Sequence, residues 1–375
     1  MNKSKNIVVV LVAVTVSMII ITLSLLFVFL DKKEFSDTEN RYLEKLPQFS
    51  FESLKSGEYI RKLETYLTDH FPFRNEFMFL KTSALKVIGQ NKISGLYLGD
   101  DGYLLEEYTV TPKSTNIPID VLNRFNDNLP DNTNMSLMLV PTSVEIYSEK
   151  LPKYSTNTSQ KDVIEYVYNN INFDGINVYD YLEKESTTID LYYKTDHHWT
   201  TFGAYLGYVA YMNYLGIEDL ERPTFEKITD EFYGTFYSKL IDNSLERESM
   251  YKLKDDDTEY IMKDVATNTV MDTIYEEKWL NEKDKYSYFL GQNKALLEIQ
   301  NKSVDNNKKI LIVKDSYGNS MIPFIAQEYE YIYVIDPRLY RLDISDYVKE
   351  NEIEEVLLVY NVKTVETDLG IRNLR

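Results

Sequence analysis

The 375-residue chain predicts an α/β protein with a buried, mainly parallel sheet, carried behind a single transmembrane helix. Three observations carry this. Ile7 to Leu30 run for 24 positions without a charge. Beyond residue 130, short apolar runs rich in β-formers alternate with helix-like segments. Polar residues able to do chemistry stand directly after those runs, where open α/β sheets place their sites.

The first run is long enough to cross a bilayer, which takes roughly 20 helical residues. A cleavable signal peptide has a shorter apolar region, about 7–15 residues, and a small-residue cleavage site. This run ends Phe27-Val28-Phe29-Leu30-Asp31 with no such site, so an uncleaved anchor is expected. Lys3 and Lys5 precede it and Lys32 and Lys33 follow it, so flanking charge does not orient it. The short tail and large remainder predict residues 1–6 in the cytoplasm, a single-pass anchor over 7–30, and an extracytoplasmic globular part at the cell membrane.

A helical stalk is expected over 31–91. Phe51, Leu54, Ile60, Leu63 and Leu67 recur at helical spacing, Pro72 interrupts, and Phe77 to Ile88 resume the pattern. His70 reads as a polar residue at a helix end. Ile93 to Leu105 reads as a hairpin, with Asp101-Gly102 at its turn. The main domain, 92–375, then offers strands at 137–140, 176–179, 189–193, 310–313, 332–335 and 356–360. Helices are expected at 163–170, 200–215 and 319–329. Residues 216–307, acidic and tyrosine-rich, read as an insertion between sheet strands, with a hairpin over 286–299.

Composition narrows the function. With no cysteine, the chain has no disulfide, thiolate metal site or cysteine nucleophile. Residues 34–375 hold 37 basic and 59 acidic residues, a balance of −22. Such a surface repels phosphate backbones, so nucleic acid is not an expected partner.

Two of the three histidines adjoin an aspartate in Asp196-His197-His198-Trp199. Asp and His are two members of a nucleophilic triad, and Ser316 in Lys314-Asp315-Ser316-Tyr317, following an apolar run, is a fitting third. A serine hydroxyl needs an adjacent base, imidazole serves near neutral pH, and a carboxylate fixes its tautomer. In an extended segment residues two apart share a face, which pairs Asp196 with His198 rather than His197. Ser316 would sit at a helix N-terminus, although serine there also serves simply as a cap. Candidate donors to substrate or oxyanion are the Tyr317 backbone, Asn361, Asn293 and Arg338, the last equally suited to a salt bridge. No metal or other cofactor is expected. Two-metal phosphoesterases with Asp-His-His need more ligands than His70 could add, while a single Asp/His metal site stays open as an alternative.

Asp196-His197-His198-Trp199 followed by Thr200-Thr201-Phe202-Gly203 resembles the signature of the DHHW family of bacterial surface proteins. These are similar to the alginate O-acetylation proteins, with SGNH-hydrolase-like domains. Lys314-Asp315-Ser316-Tyr317, Phe71-Pro72-Phe73-Arg74, the 95–104 hairpin and Tyr288-Phe289-Leu290-Gly291-Gln292-Asn293 also resemble family segments. The resemblance implies a three-layer SGNH-like fold, with Asp196, His198 and Ser316 as the triad. It implies acetyl transfer to or from a cell-surface polysaccharide, beside a membrane-bound O-acyltransferase partner. The competing expectation is a non-catalytic glycan-binding or scaffold protein of a polysaccharide assembly.

Overall fold

The computed structural model of the protein describes residues 2–36, 39, 41–367 and 370–375, with side chains from residue 7 onward. Met1 and the side chains of the 1–6 tail, Lys3 and Lys5 among them, lie outside the described residues. The chain divides into two compact units, residues 1–90 with 238–243, and residues 91–237 with 244–375.

The first unit opens with helix α1 (Asn2–Phe29), whose segment Ile7–Phe29 is long and apolar enough to span a membrane and is unburied throughout. The periodic stretch expected over 51–67 is two helices, because Gly57 takes a left-handed φ of 81° and stops the first at Lys55. Helix α2 (Glu58–Asp69) and helix α3 (Arg74–Val87) follow, separated at Pro72. His70 is the C-cap of α2, its Nε2 3.0 Å from the Glu44 carbonyl oxygen. Asp69 accepts from the Arg41 guanidinium and from Glu44 N. On α3, Thr82 donates to Leu240 O at 2.7 Å and Lys86 pairs with Asp242.

The second unit is built on an eight-stranded sheet. Its strands are β1 (Asn134–Val140), β2 (Asp174–Ile176), β3 (Tyr260–Asp264), β4 (Thr269–Met271), β5 (Leu296–Asn301), β6 (Lys309–Lys314), β7 (Tyr331–Ile335) and β8 (Glu355–Asn361). The spatial order is β4-β3-β5-β7-β6-β8-β1-β2. From β7 to β2 all neighbours are parallel, and β5, β3 and β4 extend that edge antiparallel. In β6, β8 and β1 every residue after the first is buried. Strands apolar on both faces demand cover on both, which the flanking helices give, making three layers. Helices α4 (Gln160–Tyr168), α5 (Thr201–Tyr214) and α6 (Gly318–Ile325) stand where apolar periodicity predicts them.

Residues 216–307, read as an insertion between sheet strands, supply β3, β4 and β5, which extend the sheet beyond β7. Four expectations need correction. There is no hairpin over 286–299. Leu290, Gly291 and Gln292 all take positive φ, which turns the chain before β5, and β5 pairs with β3 and β7 instead. Segment 189–193 joins no ladder; Tyr192 only bridges Trp199, closing a loop over the residues between them. At 176–179 the strand ends at Ile176 and a helix starts at Tyr179. The expected 93–105 hairpin is a three-stranded sheet, and Asp101 and Gly102 do take positive φ at its second turn.

Candidate active site

Ser316 follows β6 directly, at the carboxyl end of a central parallel strand. Asp315 shapes this turn. Its buried carboxylate accepts from Tyr317 N at 2.8 Å, from Asn361 N and Nδ2 at 2.9 and 2.8 Å, and from Thr364 Oγ1 at 2.8 Å. Burial pushes the Asp315 carboxyl up, and these four donors work against that. The next two backbone N–H groups turn back, Gly318 N to Asp315 O and Asn319 N to Ser316 O, and start α6.

The 192–199 loop brings the other groups. His198 Nε2 lies 2.7 Å from Ser316 Oγ, and His198 Nδ1 lies 2.6 Å from Asp196 Oδ1. This pairing does not arise from an extended strand. Asp196 Oδ1 also accepts His198 N at 2.9 Å, so the aspartate folds a turn around the residue it orients. With the carboxylate on Nδ1, the ring carries its proton there and leaves Nε2 to accept from the serine hydroxyl.

His197 stays in the cluster rather than facing away. Its Nδ1 is 2.7 Å from Thr235 Oγ1 and 3.5 Å from Asp196 Oδ1. Its ring lies 3.8 Å from that of His198. Burial, and then the neighbouring His198, push its pKa down to about 4, so it is neutral near pH 7. On the opposite face of His198 the Tyr286 ring stacks at 3.7 Å and 8°. Tyr286 O–H lies 2.9 Å from Ser320 Oγ and 3.3 Å from Ser316 O.

Asp196 is itself enclosed. Thr235 N donates to its Oδ2 at 2.7 Å, and Gly234 packs so close that a Cβ there would stand 2.2 Å from the Asp196 Cβ. Burial alone would raise this carboxyl. The imidazoles of His197 and His198, with the His198 and Thr235 hydrogen bonds, hold it well below the usual carboxylate range. Glu248 secures the loop's base, accepting from Lys194 N, Thr195 N and Thr195 Oγ1 at 2.6, 2.9 and 2.5 Å. Thr195 O in turn accepts Phe236 N and Tyr237 N. Two bonds lace the halves together: Trp199 Nε1 donates to Tyr317 O at 3.0 Å, and Tyr317 O–H donates to His197 O.

The other predicted site residues are taken up elsewhere. Tyr317 N and Asn361 serve Asp315, and Arg338 forms a fork onto Asp336. Asn293 Oδ1 accepts from Lys314 Nζ at 2.9 Å. Buried carboxylates claim the nearest donors, and that demand is invisible in sequence. Donor atoms of Asp196, His197 and His198 lie within 4.8 Å of one another, near enough to gather a metal ion. Asp196 Oδ1, His197 Nδ1 and both nitrogens of His198 are already engaged, so an ion taking those atoms would have to displace their bonds. Gly234, Thr235, Glu248 and Tyr286 escaped the sequence reading; only the glycine in Tyr233-Gly234-Thr235 hinted at close backbone approach.

Three layers around a mainly parallel sheet, with this turn after a central strand, define an α/β protein whose candidate site lies at the carboxyl ends of its strands. The chain belongs to the DHHW family, described as DHHW protein, whose pattern residues 80–335 match. Among solved structures it is similar to a DHHW family protein from Eubacterium siraeum, with 27% identity, TM-score 0.67, and 76% of this chain and 96% of that one covered. Bacillus cereus PatB1 is similar at 25% identity and TM-score 0.59, over 72% of this chain and 97% of that one. The O-acetyltransferase domain of Pseudomonas putida AlgJ is more distant, at 14% identity and TM-score 0.45, over 73% and 93%. Among curated proteins none matches the chain in sequence.

Proposed function

We propose that the chain is a membrane-anchored, extracytoplasmic serine O-acetyltransferase or acetylesterase acting on a cell-surface polysaccharide. Residues 1–6 form the cytoplasmic tail, 7–30 the anchor, 31–91 the stalk and 92–375 the acyl-transfer domain. The observation that carries this reading is the continuous hydrogen-bonded line Ser316 Oγ, His198 Nε2, His198 Nδ1, Asp196 Oδ1, with links of 2.7 and 2.6 Å. Those are the lengths a nucleophile, its base and the orienting carboxylate need. Membership of the DHHW family and the unburied Ile7–Phe29 helix agree with it.

In this reading Ser316 Oγ attacks the acyl carbonyl carbon while its proton passes to His198 Nε2. The donor's ester C–O bond breaks, and the departing oxygen takes that proton back. A sugar hydroxyl or water then repeats the steps in reverse on the acyl-serine. Which acceptor wins depends on how well the occupied site excludes water. A membrane-bound O-acyltransferase that exports the acyl group would supply the donor.

The test is turnover of a chromogenic acetyl ester by the full chain, against Ser316→Ala and His198→Ala. Loss of roughly three or more orders of magnitude in both variants, with folding intact, is expected. Labelling of wild type but not Ser316→Ala by an aryl sulfonyl fluoride locates the nucleophile. Equal turnover in all three, with no labelling of Ser316, would overturn the reading.

A further inference from the structure

We propose that the apolar face formed by α2 and α3 lies on the membrane surface, sunk into the leaflet beside the end of α1. This rests on the anchor reading above and extends it from one helix to a platform. Among the described residues beyond the span, 13 large hydrophobic side chains are exposed between residues 42 and 88, against 9 in the whole of 91–375. Ile60, Leu67, Phe77 and Leu80 each leave between 45% and 61% of their surface open. Apolar side chains gathered at this density mark a surface that something covers.

The covering surface follows from where α2 is held. Tyr66 of α2 packs edge-on against Phe27 of α1, with ring centroids 6.0 Å apart. Phe27 is two residues from the end of the Ile7–Phe29 span. A helix of that length covers about 34 Å, slightly more than the hydrocarbon thickness of roughly 30 Å. A residue touching Phe27 therefore lies at the level of the acyl–headgroup boundary. Helix α2 cannot stand off from the bilayer while that contact is kept.

The exposed side chains point one way. Ile60, Leu63 and Leu67 recur at intervals of three and four along α2, and with Phe71, Phe77 and Met78 they line a groove of about 720 Å³. Thr65, two residues before Leu67, falls on the opposite side of the helix and is exposed. Charge agrees. Residues 51–88 carry six basic and five acidic side chains, a balance of +1, within a chain of net charge −19. The stretch nearest the membrane is the one that anionic headgroups do not repel. Amphipathic helices of this kind bury their apolar face about 5–10 Å into the interface.

The chain has no cysteine, so single substitutions place a fluorophore without background. Full-length Leu67→Cys, Phe77→Cys, Thr65→Cys and, within the span, Val14→Cys are labelled and set in phospholipid nanodiscs. Each is probed with nitroxide-bearing lipids and with aqueous iodide. Leu67 and Phe77 probes are expected to be quenched by shallow nitroxides several-fold more than the Thr65 probe, which iodide quenches instead. If Val14 is quenched by deep nitroxides but Leu67 and Phe77 answer only to iodide, the platform falls and the anchor stands. Failure at Val14 removes the anchor reading, and the platform with it. Leu67 and Phe77 shielded from both quenchers would mean that protein, not lipid, covers the face, and that too overturns the proposal.

Discussion

The indole of Trp199 donates to the carbonyl oxygen of Tyr317 at 3.0 Å, across 118 residues of sequence. With the Tyr317 O–H bond to His197 O, this buried hydrogen bond sets the distance between the loop carrying the imidazole and the turn carrying the hydroxyl. Trp199→Phe removes the indole donor, leaving the carbonyl only its helical partner at the start of α6, and leaves part of a buried pocket unfilled, at a cost of about 1–3 kcal/mol in unfolding free energy. Turnover should fall up to about 100-fold, because a shift near 1 Å between reacting groups has that effect. Denaturant melts and ester kinetics on the same variant check both.

Gly234 leaves no room beside Asp196, since a Cβ added there would lie 2.4 Å from Oδ2. Gly234→Ala should destabilise the fold by about 1–3 kcal/mol, the usual cost of overpacking. It should also push the carboxylate off the imidazole. Recovery of activity in Gly234→Ala at raised pH would argue against a displaced carboxylate, whereas uniform loss across pH fits it.

Tyr286 separates two roles. Tyr286→Phe retains the stacked face on His198 and loses the O–H contact with Ser320, about 1 kcal/mol, with modest change in rate. Tyr286→Ala removes a buried ring, about 3–5 kcal/mol, and frees the imidazole to rotate. A drop in kcat confined to the alanine variant, read beside its pH profile, identifies the ring face as the positioning element.

Stability should depend on pH in two stages. His197, ordinarily near 6.5, is held at about 4 in the fold, so the unfolded chain binds the proton first. Its contribution is complete above about pH 6.5 and is lost as pH falls towards 4. Asp196, held below the usual carboxylate range, adds a further loss below about pH 3.9. His197→Asn should flatten the first stage and shrink the second, since His197 also helps hold Asp196 low, as denaturation midpoints between pH 7.5 and 3 would report.

Part of this site is written plainly in the sequence. An apolar run ending in Asp315-Ser316 marks a strand end, and an aspartate beside paired histidines marks a base and its partner. The choice of His198 follows from spacing, yet its cause is a turn closed by Asp196, because 189–193 lacks the ladder that would extend it. Gly234 acts through its backbone, Thr235 through its backbone N–H as well as its hydroxyl, and Tyr286 through a ring face. Such contributions leave no residue-type signature. Tyr317, Asn361 and Arg338 have the right chemistry, and their hydrogen bonds to the carboxylates of Asp315 and Asp336 are partnerships that residue type alone does not reveal. The parallel sheet was legible from its doubly buried strands. Its antiparallel extension through residues 260–301 was not, since β3 alternates buried and half-buried positions, β4 buries none, and both resemble loop-bound hairpins.

Strand β6 lies between β7 and β8, and β8 ends at Asn361, whose amide also braces Asp315. During synthesis the serine turn therefore has neither its far neighbour strand nor its brace until Asn361 has emerged. The aspartate and histidines are made more than a hundred residues earlier. A chain stopped before Asn361 would lack the strand and the amide that hold this turn, so premature termination of translation would leave the serine unsupported.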